Sequence, residues 1–208
     1  SLAVLAGVIT GDEARQVMHS VLTDIDLIQV TIYFRYYLNQ ALNKAGLGDE
    51  LLEHLGVWKE QMALGLTTWA ERPEPSRSDC HAWGASPNIE FYRVVLGIDS
   101  DAPGFGKVRI APNLGTLKKV SGTVPHPLGD IAVNYEVDKK GKLIATVDLP
   151  ENIKGTFVWK GQNYPLVSGH QVLTINQQAS AGQRKYYVSS STGDDSNDGL
   201  TPKRAFKT

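Results

Sequence analysis

The segment IDSDAPGFGKVRI, residues 98–110, divides the sequence into two parts with different hydrophobic periods. On its N-terminal side, apolar residues recur every three to four positions, as they do along one face of an amphipathic helix. On its C-terminal side, beginning with Val108 and Ile110, apolar residues alternate with polar ones, as in half-buried β-strands. We therefore predict a helical unit followed by a β-unit, with the boundary at residues 99–104.

Capping signals and apolar stripes divide the helical part into separate helices. Helices are predicted from about residue 11, over residues 27–45 and over residues 49–65, and a fourth is predicted to begin after an N-cap at Ser78 or Asp79. Thr10 and Glu13 have the spacing of a capping box, in which each side chain accepts a hydrogen bond from a free backbone amide. The stripe of the second helix predicts that Phe34 points inward, and Pro87 either kinks the last helix or begins it after Ser86.

The β-unit is a series of short strands separated by turns. The turn at residues 138–142, DKKGK, supplies Gly141 for a positive φ and predicts a hairpin between the strands on its two sides. Strands are predicted around residues 108–110 and over residues 131–137, 143–147, 155–160, 164–167 and 171–175. Strands at this spacing are typical of an antiparallel β-sandwich.

The composition excludes several classes of protein. The 208 residues carry 21 Lys and Arg against 22 Asp and Glu, which gives a formal net charge of −1. We therefore expect no nucleic-acid partner and no attraction to an anionic membrane surface. The single cysteine, Cys80, rules out an internal disulfide framework and is expected to be a small buried hydrophobe. No apolar run reaches the ~18–20 residues of a membrane span.

The loop GLTTWAERPEPSRSDCHAWGASP, residues 65–87, concentrates side chains that carry chemistry. Connections between packed helices are usually about two to eight residues long and polar, whereas this one is longer and rich in aromatic residues. Its functional candidates are a carboxylate, an imidazole, two indoles and two guanidinium groups: Glu71, His81, Trp69, Trp83, Arg72 and Arg77. A carboxylate near indole platforms is typical of a site that cleaves sugars, and a packed connector with buried aromatic residues is the alternative.

Four blocks in a fixed order carry a resemblance to a known family. They are GLTTWAE at residues 65–71, RSDCHAWGASP at 77–87, GIDSDAPGFGKVRIAPNLGTL at 97–117 and VPHPLGDIAVNYEV at 124–137. Together they resemble the C-terminal part of bacterial family 78 glycoside hydrolases, the α-L-rhamnosidases, over about residues 2–178. The resemblance implies the last hairpins of an (α/α)6 six-hairpin barrel at residues 1–98, an antiparallel β-sandwich at 99–178, and a linker with the start of another domain at 179–208.

The same resemblance implies inverting hydrolysis of terminal α-L-rhamnosides by a longer protein. The family's general base follows the Thr-Thr-Trp block and corresponds to Glu71 here. The histidine that lines the family's sugar pocket corresponds to His81, and Trp69 and Trp83 are the expected sugar platforms. Many members have Glu directly after Trp, whereas Ala70 intervenes in this sequence.

The resemblance places the general acid before residue 1. The other glutamates of the helical part are expected on solvated helix faces: Glu50, Glu53, Glu60 and Glu90. Because inversion requires two carboxyl groups, we expect negligible hydrolysis by the 208 residues alone. The expected partners are a rhamnose-containing oligo- or polysaccharide and the N-terminal half of the barrel. Without that half, apolar helix faces favour self-association.

The C-terminal tail, residues 184–208, resembles the opening of a pectate-lyase-like right-handed β-helix domain. It carries oxygen-bearing side chains of the kind that calcium takes: Asp194, Asp195, Asn197 and Asp198. Their spacing does not match the EF-hand pattern, and a solvated turn is the alternative we favour, so we predict no metal site and no cofactor. The resemblance implies an extracellular or periplasmic protein.

Two other functions stay open from the sequence. Residues 99–178 are compatible with a carbohydrate-binding or purely supporting module that binds sugar on a sandwich face with Tyr135 and Trp159. A six-hairpin glycosidase for a different sugar is the other alternative. The place where sugar binds, at the loop or on the sandwich, separates the first alternative from the hydrolase.

Overall fold

The computed structural model describes residues 1–72, 75–176, 188–197, 201–204 and 207, and it consists of a helical part followed by two β-sheets. The helical part contains α1 (Leu2–Leu5), α2 (Gly11–Thr23), α3 (Ile32–Lys44), a 3₁₀ helix (Gly48–His54), α4 (Gly56–Ala63), a second 3₁₀ helix (Ala82–Ala85), α5 (Pro87–Glu90) and a π-helical turn (Phe91–Val95). The strands are β1 (Ile98–Ser100), β2 (Lys107–Ile110), β3 (Lys119–Val124), β4 (Ile131–Val137), β5 (Leu143–Leu149), β6 (Lys154–Trp159), β7 (Gln162–Leu166) and β8 (Gly169–Ile175). Within these described ranges, no helix has the length and apolar character that a membrane crossing requires.

The predicted helices are present only in part. The third is divided into a 3₁₀ helix and α4, and in the described part of the loop no helix begins after Ser78 or Asp79, because the chain first turns helical in the short 3₁₀ helix Ala82–Ala85. α2 begins directly after Thr10, yet the Thr10 hydroxyl makes no capping hydrogen bond, so the predicted capping-box interaction is wrong. α3 begins at Ile32 rather than at residue 27, and Phe34 is 43% exposed instead of inward. Pro87 begins α5 with Ser86 at the N-cap, as the second of the two sequence alternatives predicts.

The strands form two four-stranded sheets that pack face to face. One sheet has the order β1-β2-β6-β7 and the other has the order β3-β4-β5-β8. The prediction of an entirely antiparallel sandwich is wrong at one place, because β2 and β6 pair in parallel, with Val108 opposite Gly155. Two strands were missed: β1 has only three residues, and β3 (KVSGTV) has no residue that is fully buried.

Alternating apolar residues from both sheets fill the sandwich core. Its largest fully buried side chains include Tyr135 and Phe157, whose ring centroids lie 6.0 Å apart. The predicted hairpin turn between β4 and β5 is confirmed: the Asp138 carboxylate accepts hydrogen bonds from the backbone amides of Lys140 and Lys142, and Gly141 has a φ of 78°. Because Tyr135 is fully buried, the suggested sugar-binding face with Tyr135 is wrong.

The last helical turn is joined to the sandwich by buried polar contacts. The Tyr135 hydroxyl donates a hydrogen bond of 2.8 Å to the backbone carbonyl of Leu96, and burial raises the pKa of that hydroxyl well above its usual value. Gly97 reverses the chain with a φ of 73°, and a Cβ there would lie 2.2 Å from the Ala111 carbonyl carbon. Only glycine satisfies both constraints.

The placement of Glu90 contradicts the prediction of a solvated helix face. Glu90 is fully buried at the end of α5, and its Oε2 accepts a 2.7 Å hydrogen bond from the Gln40 side chain of α3. Its Oε1 has no partner among the described residues. Burial raises the pKa of the Glu90 carboxyl to about 7, although Gln40 and the nearby Arg93 act in the opposite direction. The sequence pattern missed this residue because α5 is too short to show a period.

The tail is described only in part. Residues 177–187 and 198–200, which include the calcium candidate Asp198, lie outside the described residues. The predicted β-helix-like domain therefore stays a prediction.

We expect the Glu90→Gln variant to change how stability depends on pH. The folded pKa of about 7 lies above the ordinary value of 4.5, so the folded state holds a proton that the unfolded state releases. The contribution of Glu90 to the free energy of unfolding is therefore complete below pH 4.5 and is lost as pH rises through about 7. Glutamine does not titrate, so urea unfolding should show the variant gaining about 1–3 kcal/mol relative to the wild type between pH 5 and pH 8. Parallel pH profiles of the two proteins would contradict this assignment.

Candidate active site

The loop between α4 and α5 is held as two arms joined by backbone hydrogen bonds. The backbone amide of Glu71 donates to the Ser78 carbonyl at 2.9 Å, and the amide of His81 donates to the Trp69 carbonyl at 2.8 Å. The Thr68 hydroxyl also donates to the backbone carbonyl of the opposite arm, at Asp79. These contacts fix the backbone at the two positions that carry the predicted carboxylate and imidazole.

Side chains beneath the loop anchor its first arm to the helices. The Gln61 side-chain oxygen accepts a 2.9 Å hydrogen bond from the backbone amide of buried Ala70. The Trp58 indole donates a 2.7 Å hydrogen bond to the Gly84 carbonyl, and Trp69 packs beside the buried cluster that Trp58 forms with Ile32 and Leu55. Ala70, the residue inserted between Trp and Glu, is thus a packed part of the support for the loop.

Glu71 lies at the wall of an open pocket of about 300 Å³. Its side chain is 20% exposed and forms a two-point ion pair with Arg77, in which the Arg77 Nε lies 2.9 Å from Oε2 and an Nη atom contacts Oε1. Arg72 also lines the pocket, and its Nε donates to the Pro75 carbonyl. A carboxylate held from one side by a guanidinium group keeps a fixed orientation, and each of its oxygens retains a lone pair for another donor.

Aromatic rings form the other wall of this pocket. Tyr33 and Trp83 both line it and pack edge to face, with ring centroids 5.7 Å apart. Trp83 is 41% exposed, so part of its indole is free to contact a ligand. The His81 ring lies 4.3 Å from that of Trp83, and its Nδ1 is buried without a hydrogen-bond partner in the part of the chain that the structure describes.

The structure thus brings together three of the four residues that the sequence singled out. Glu71 and Trp83 line one pocket and His81 packs on Trp83. Trp69 does not line that pocket, and its position beside the buried cluster gives it a packing role. Their chemical roles stay predictions.

Two outcomes in this region were not expected from the sequence. First, Thr31 and Tyr33 line the pocket from the start of α3. In the sequence, the aromatic residues of this helix were the only feature that could have marked this wall, and the apolar stripe there predicted an inward-facing helix side instead. Second, Cys80 is exposed, which corrects the prediction of a buried hydrophobe. Cys80 lies in the second arm of the loop, between Asp79 and His81.

The described residues contain no group of three or more His, Cys, Asp or Glu side chains placed to hold a metal ion. In the tail, Asp194 accepts hydrogen bonds from the backbone amide and hydroxyl of Ser196, and these bonds lower the pKa of its carboxyl. This is the geometry of a local polar turn.

Comparisons with known proteins point to one family. Residues 97–173 match the model described as the bacterial alpha-L-rhamnosidase C-terminal domain. An alpha-L-rhamnosidase from Alteromonas sp. (strain LOR) is 38% identical over 138 residues, which are 58% of this chain and 15% of that protein. The chain is a relative of the C-terminal part of the family 78 α-L-rhamnosidases. The resemblance drawn from the four sequence blocks is confirmed.

Solved rhamnosidase structures share the fold of this chain. The GH78 family rhamnosidase of Bacillus sp. GL1 is 28% identical with a TM-score of 0.67, covering 75% of this chain and 18% of that one. The α-L-rhamnosidase of Dictyoglumus thermophilum is 16% identical with a TM-score of 0.71, covering 85% of this chain and 25% of that one. The chain therefore spans about a quarter or less of the length of these relatives.

We expect Gly84→Ala to disturb the loop from below. A Cβ at Gly84 would lie 2.4 Å from the Trp69 Cβ, so one of the two backbones must move. Overpacking of this kind costs about 1–3 kcal/mol, and thermal unfolding should show the loss. Gly56→Ala is the matched control, because a Cβ at Gly56 meets no atom within 4 Å, and its stability should be unchanged or slightly raised. Equal stability of the two variants would contradict this prediction, because it would show that Trp69 moves away from the added methyl group at no cost in free energy.

Proposed function

We propose that this chain forms the C-terminal part of an inverting α-L-rhamnosidase and contributes Glu71 as the general base. The observation that carries the proposal is the pocket itself, where an oriented carboxylate faces two aromatic side chains. The relatives named above are rhamnosidases, and their sequence and fold likeness supports a rhamnose-containing glycoside as the substrate.

The chemistry assigns one role to each of two carboxyl groups. In inverting hydrolysis, one carboxylic acid protonates the leaving oxygen while a carboxylate on the opposite face of the sugar activates water. Glu71 is the one carboxylate among the described lining residues of its pocket. The proposal therefore gives the base to this chain and the acid to another segment of the full-length protein, with the acid about 6.5–9.5 Å from Glu71 in the assembled site.

Arg77 orients the base in this proposal. Its two-point contact uses one lone pair of each Glu71 oxygen, so an attacking water can donate only to the remaining lone pair of either oxygen. Arg77 itself is 74% exposed, so the edge of its guanidinium that faces away from Glu71 is free to contact solvent or substrate while the ion pair is kept.

The aromatic wall supplies the sugar contacts. Apolar faces of a sugar ring stack on an indole or a phenol, so Trp83 and Tyr33 are assigned to substrate binding. His81 lies against Trp83 and holds an unpartnered ring nitrogen. A small rotation of the imidazole would let it hydrogen-bond to a sugar hydroxyl, and the free energy of burying an unpaired nitrogen favours such a partner.

The helical part is proposed to be the last hairpins of an (α/α)6 barrel, within residues 1–98, with the sandwich at residues 99–178. Most of the exposed large apolar side chains of the described chain belong to the helical part. Ile25 and Ile28 are 95% and 98% exposed, and Leu64 and Met62 are 66% and 65% exposed. In the proposed barrel, the preceding hairpins cover these side chains.

The decisive experiment is hydrolysis of an aryl α-L-rhamnoside by the full-length protein and its Glu71→Gln variant. Loss of a general base lowers the rate about 10²–10⁴-fold, so kcat should fall by that factor with the fold intact by circular dichroism. Glu53→Gln is the matched control, since Glu53 is an exposed glutamate outside the pocket, and it should keep the wild-type rate. Following the first-formed anomer by NMR tests inversion separately.

Each other result selects a different function. If the wild type is active and Glu71→Gln keeps its rate, Glu71 is structural and the base lies elsewhere. If the wild type ignores aryl α-L-rhamnosides but cleaves another aryl glycoside at a Glu71-dependent rate, the sugar assignment is wrong and the mechanism stands.

We expect the 208-residue chain to self-associate when produced alone, because the uncovered apolar side chains of the helical part gain free energy by burial. Sedimentation velocity should show dimers or larger species that dissociate at lower concentration. A double variant, Ile25→Ser with Ile28→Ser, should shift the distribution toward monomer. A monodisperse wild-type monomer would count against the barrel assignment.

A further inference from the structure

A second cavity, of about 780 Å³, lies between the helical part and the sandwich. Its walls come from the helical part, mainly α2, α3 and the π-helical turn, and from β1, β2 and the end of β6 with the turn to β7. It shares no lining residue with the Glu71 pocket. We call it the cationic groove, because its lining contains the basic residues Arg15, Lys44, Arg93, Arg109 and Lys160 against the acidic residues Asp49 and Asp99.

The two acidic side chains of the groove are already engaged. The Asp99 Oδ2 accepts hydrogen bonds from Arg93 at 2.7 and 3.1 Å. The Asp49 Oδ1 accepts a 2.8 Å hydrogen bond from the backbone amide of Gly115. Arg93 and Asp99 cancel each other, so the four other basic side chains of the lining stand against the single negative charge of Asp49.

Four basic side chains of the groove have no carboxylate partner among the described residues. The Arg15 guanidinium donates to the Gly46 carbonyl at 3.2 Å, and the Lys44 ammonium donates to the Leu5 carbonyl at 2.7 Å. Arg109 and Lys160 form no ion pair in the described part of the chain, although both line the groove. A concentration of unpaired positive charge in a cleft attracts anions, and it is notable in a chain whose net charge is −1.

An indole lies among these charges. Trp159 ends β6, packs beside the sandwich core and also lines the groove. The next residue, Lys160, begins the turn to β7 with a φ of 48°, and its ammonium lies 5.7 Å from the centre of the Trp159 ring. Lys160 therefore covers part of the indole in a cation–π contact. The half-buried ring and the cations around it fit a sugar ring that carries an acidic substituent.

We propose that the cationic groove binds an anionic oligosaccharide segment, at a site separate from the Glu71 pocket. Carboxylate or sulfate groups of the saccharide pair with Arg109 and Lys160, and a sugar ring contacts the part of Trp159 that Lys160 and the core leave exposed. The positive charge of the groove carries the preference for an anion, while the saccharide nature of the ligand rests on the proposed glycosidase function. The substrate is then an acidic glycan that touches the protein at two places. A highly charged polymer such as nucleic acid is disfavoured, because the overall charge of the chain does not support long-range attraction.

The test is calorimetric titration of the full-length protein with tetragalacturonate at low ionic strength. The wild type should bind, and binding should weaken with added salt because the contacts are between exposed charges. The double variant Arg109→Gln with Lys160→Gln should bind at least about tenfold more weakly, since two charge-assisted contacts are lost. The matched control is Lys139→Gln with Lys140→Gln, which removes the same charge from the exposed β4–β5 turn, and it should bind like the wild type.

Three further ligands separate the sources of the anion. A sulfated tetrasaccharide that binds in the same variant-sensitive way extends the proposal to sulfate, whereas fully methyl-esterified tetragalacturonate should not bind. The proposal is overturned if both double variants lose the same affinity for tetragalacturonate, or if duplex DNA of matched charge binds as tightly as the saccharide. Either result would show that the groove is a nonspecific polyanion surface. The proposal is also overturned if neither acidic saccharide binds.

Binding at the groove and hydrolysis at the pocket are read separately. Hydrolysis of the neutral aryl rhamnoside tests the proposed glycosidase function, and titration with the acidic tetramer tests the groove. The Glu71→Gln variant should bind tetragalacturonate as the wild type does, so a failure of one proposal does not hide the outcome of the other.

Discussion

The side chain of Asn113 makes the contact on which the arrangement of the two parts depends. Its amide nitrogen lies 3.1 Å from the Val94 carbonyl, 3.2 Å from the Ala111 carbonyl and 3.2 Å from the Asn43 side-chain oxygen on α3. Its backbone amide also donates to the Val94 carbonyl at 3.1 Å. Asn113 is half-buried, and a polar group shielded from water costs free energy when it loses its partners. This one residue therefore ties the end of the helices, the start of the sandwich and α3 into a single arrangement.

That arrangement positions both proposed sites. α3 carries Tyr33 into the Glu71 pocket at its first turn and Lys44 into the cationic groove at its last. Between them, Gln40 holds the buried carboxyl of Glu90. A shift of α3 would therefore change the aromatic wall, the protonation of Glu90 and the charge lining the groove together.

The two sites have opposite chemistry. The pocket presents an oriented carboxylate between aromatic and guanidinium side chains, which suits bond cleavage at a sugar ring. The groove presents unpaired positive charge around Trp159, which suits binding without cleavage. The first lies on a loop supported by helices and the second between the helices and the sandwich, so the proposed groove would give the β-unit a use beyond support of the helical part.

Sequence by itself determined the order of the two units, the hairpin at residues 138–142 and the family, because periodicity, turn residues and ordered blocks are local features. It also identified Glu71, His81 and Trp83 as one candidate constellation. Tertiary structure decided what local patterns do not contain: the parallel pairing of β2 with β6, the burial of Glu90 and the placement of Arg109 and Lys160 in the lining of one groove. These three features depend on contacts between residues that are distant in the chain. The free energy of each contact depends on which two surfaces meet, and the sequence around one residue does not contain that information.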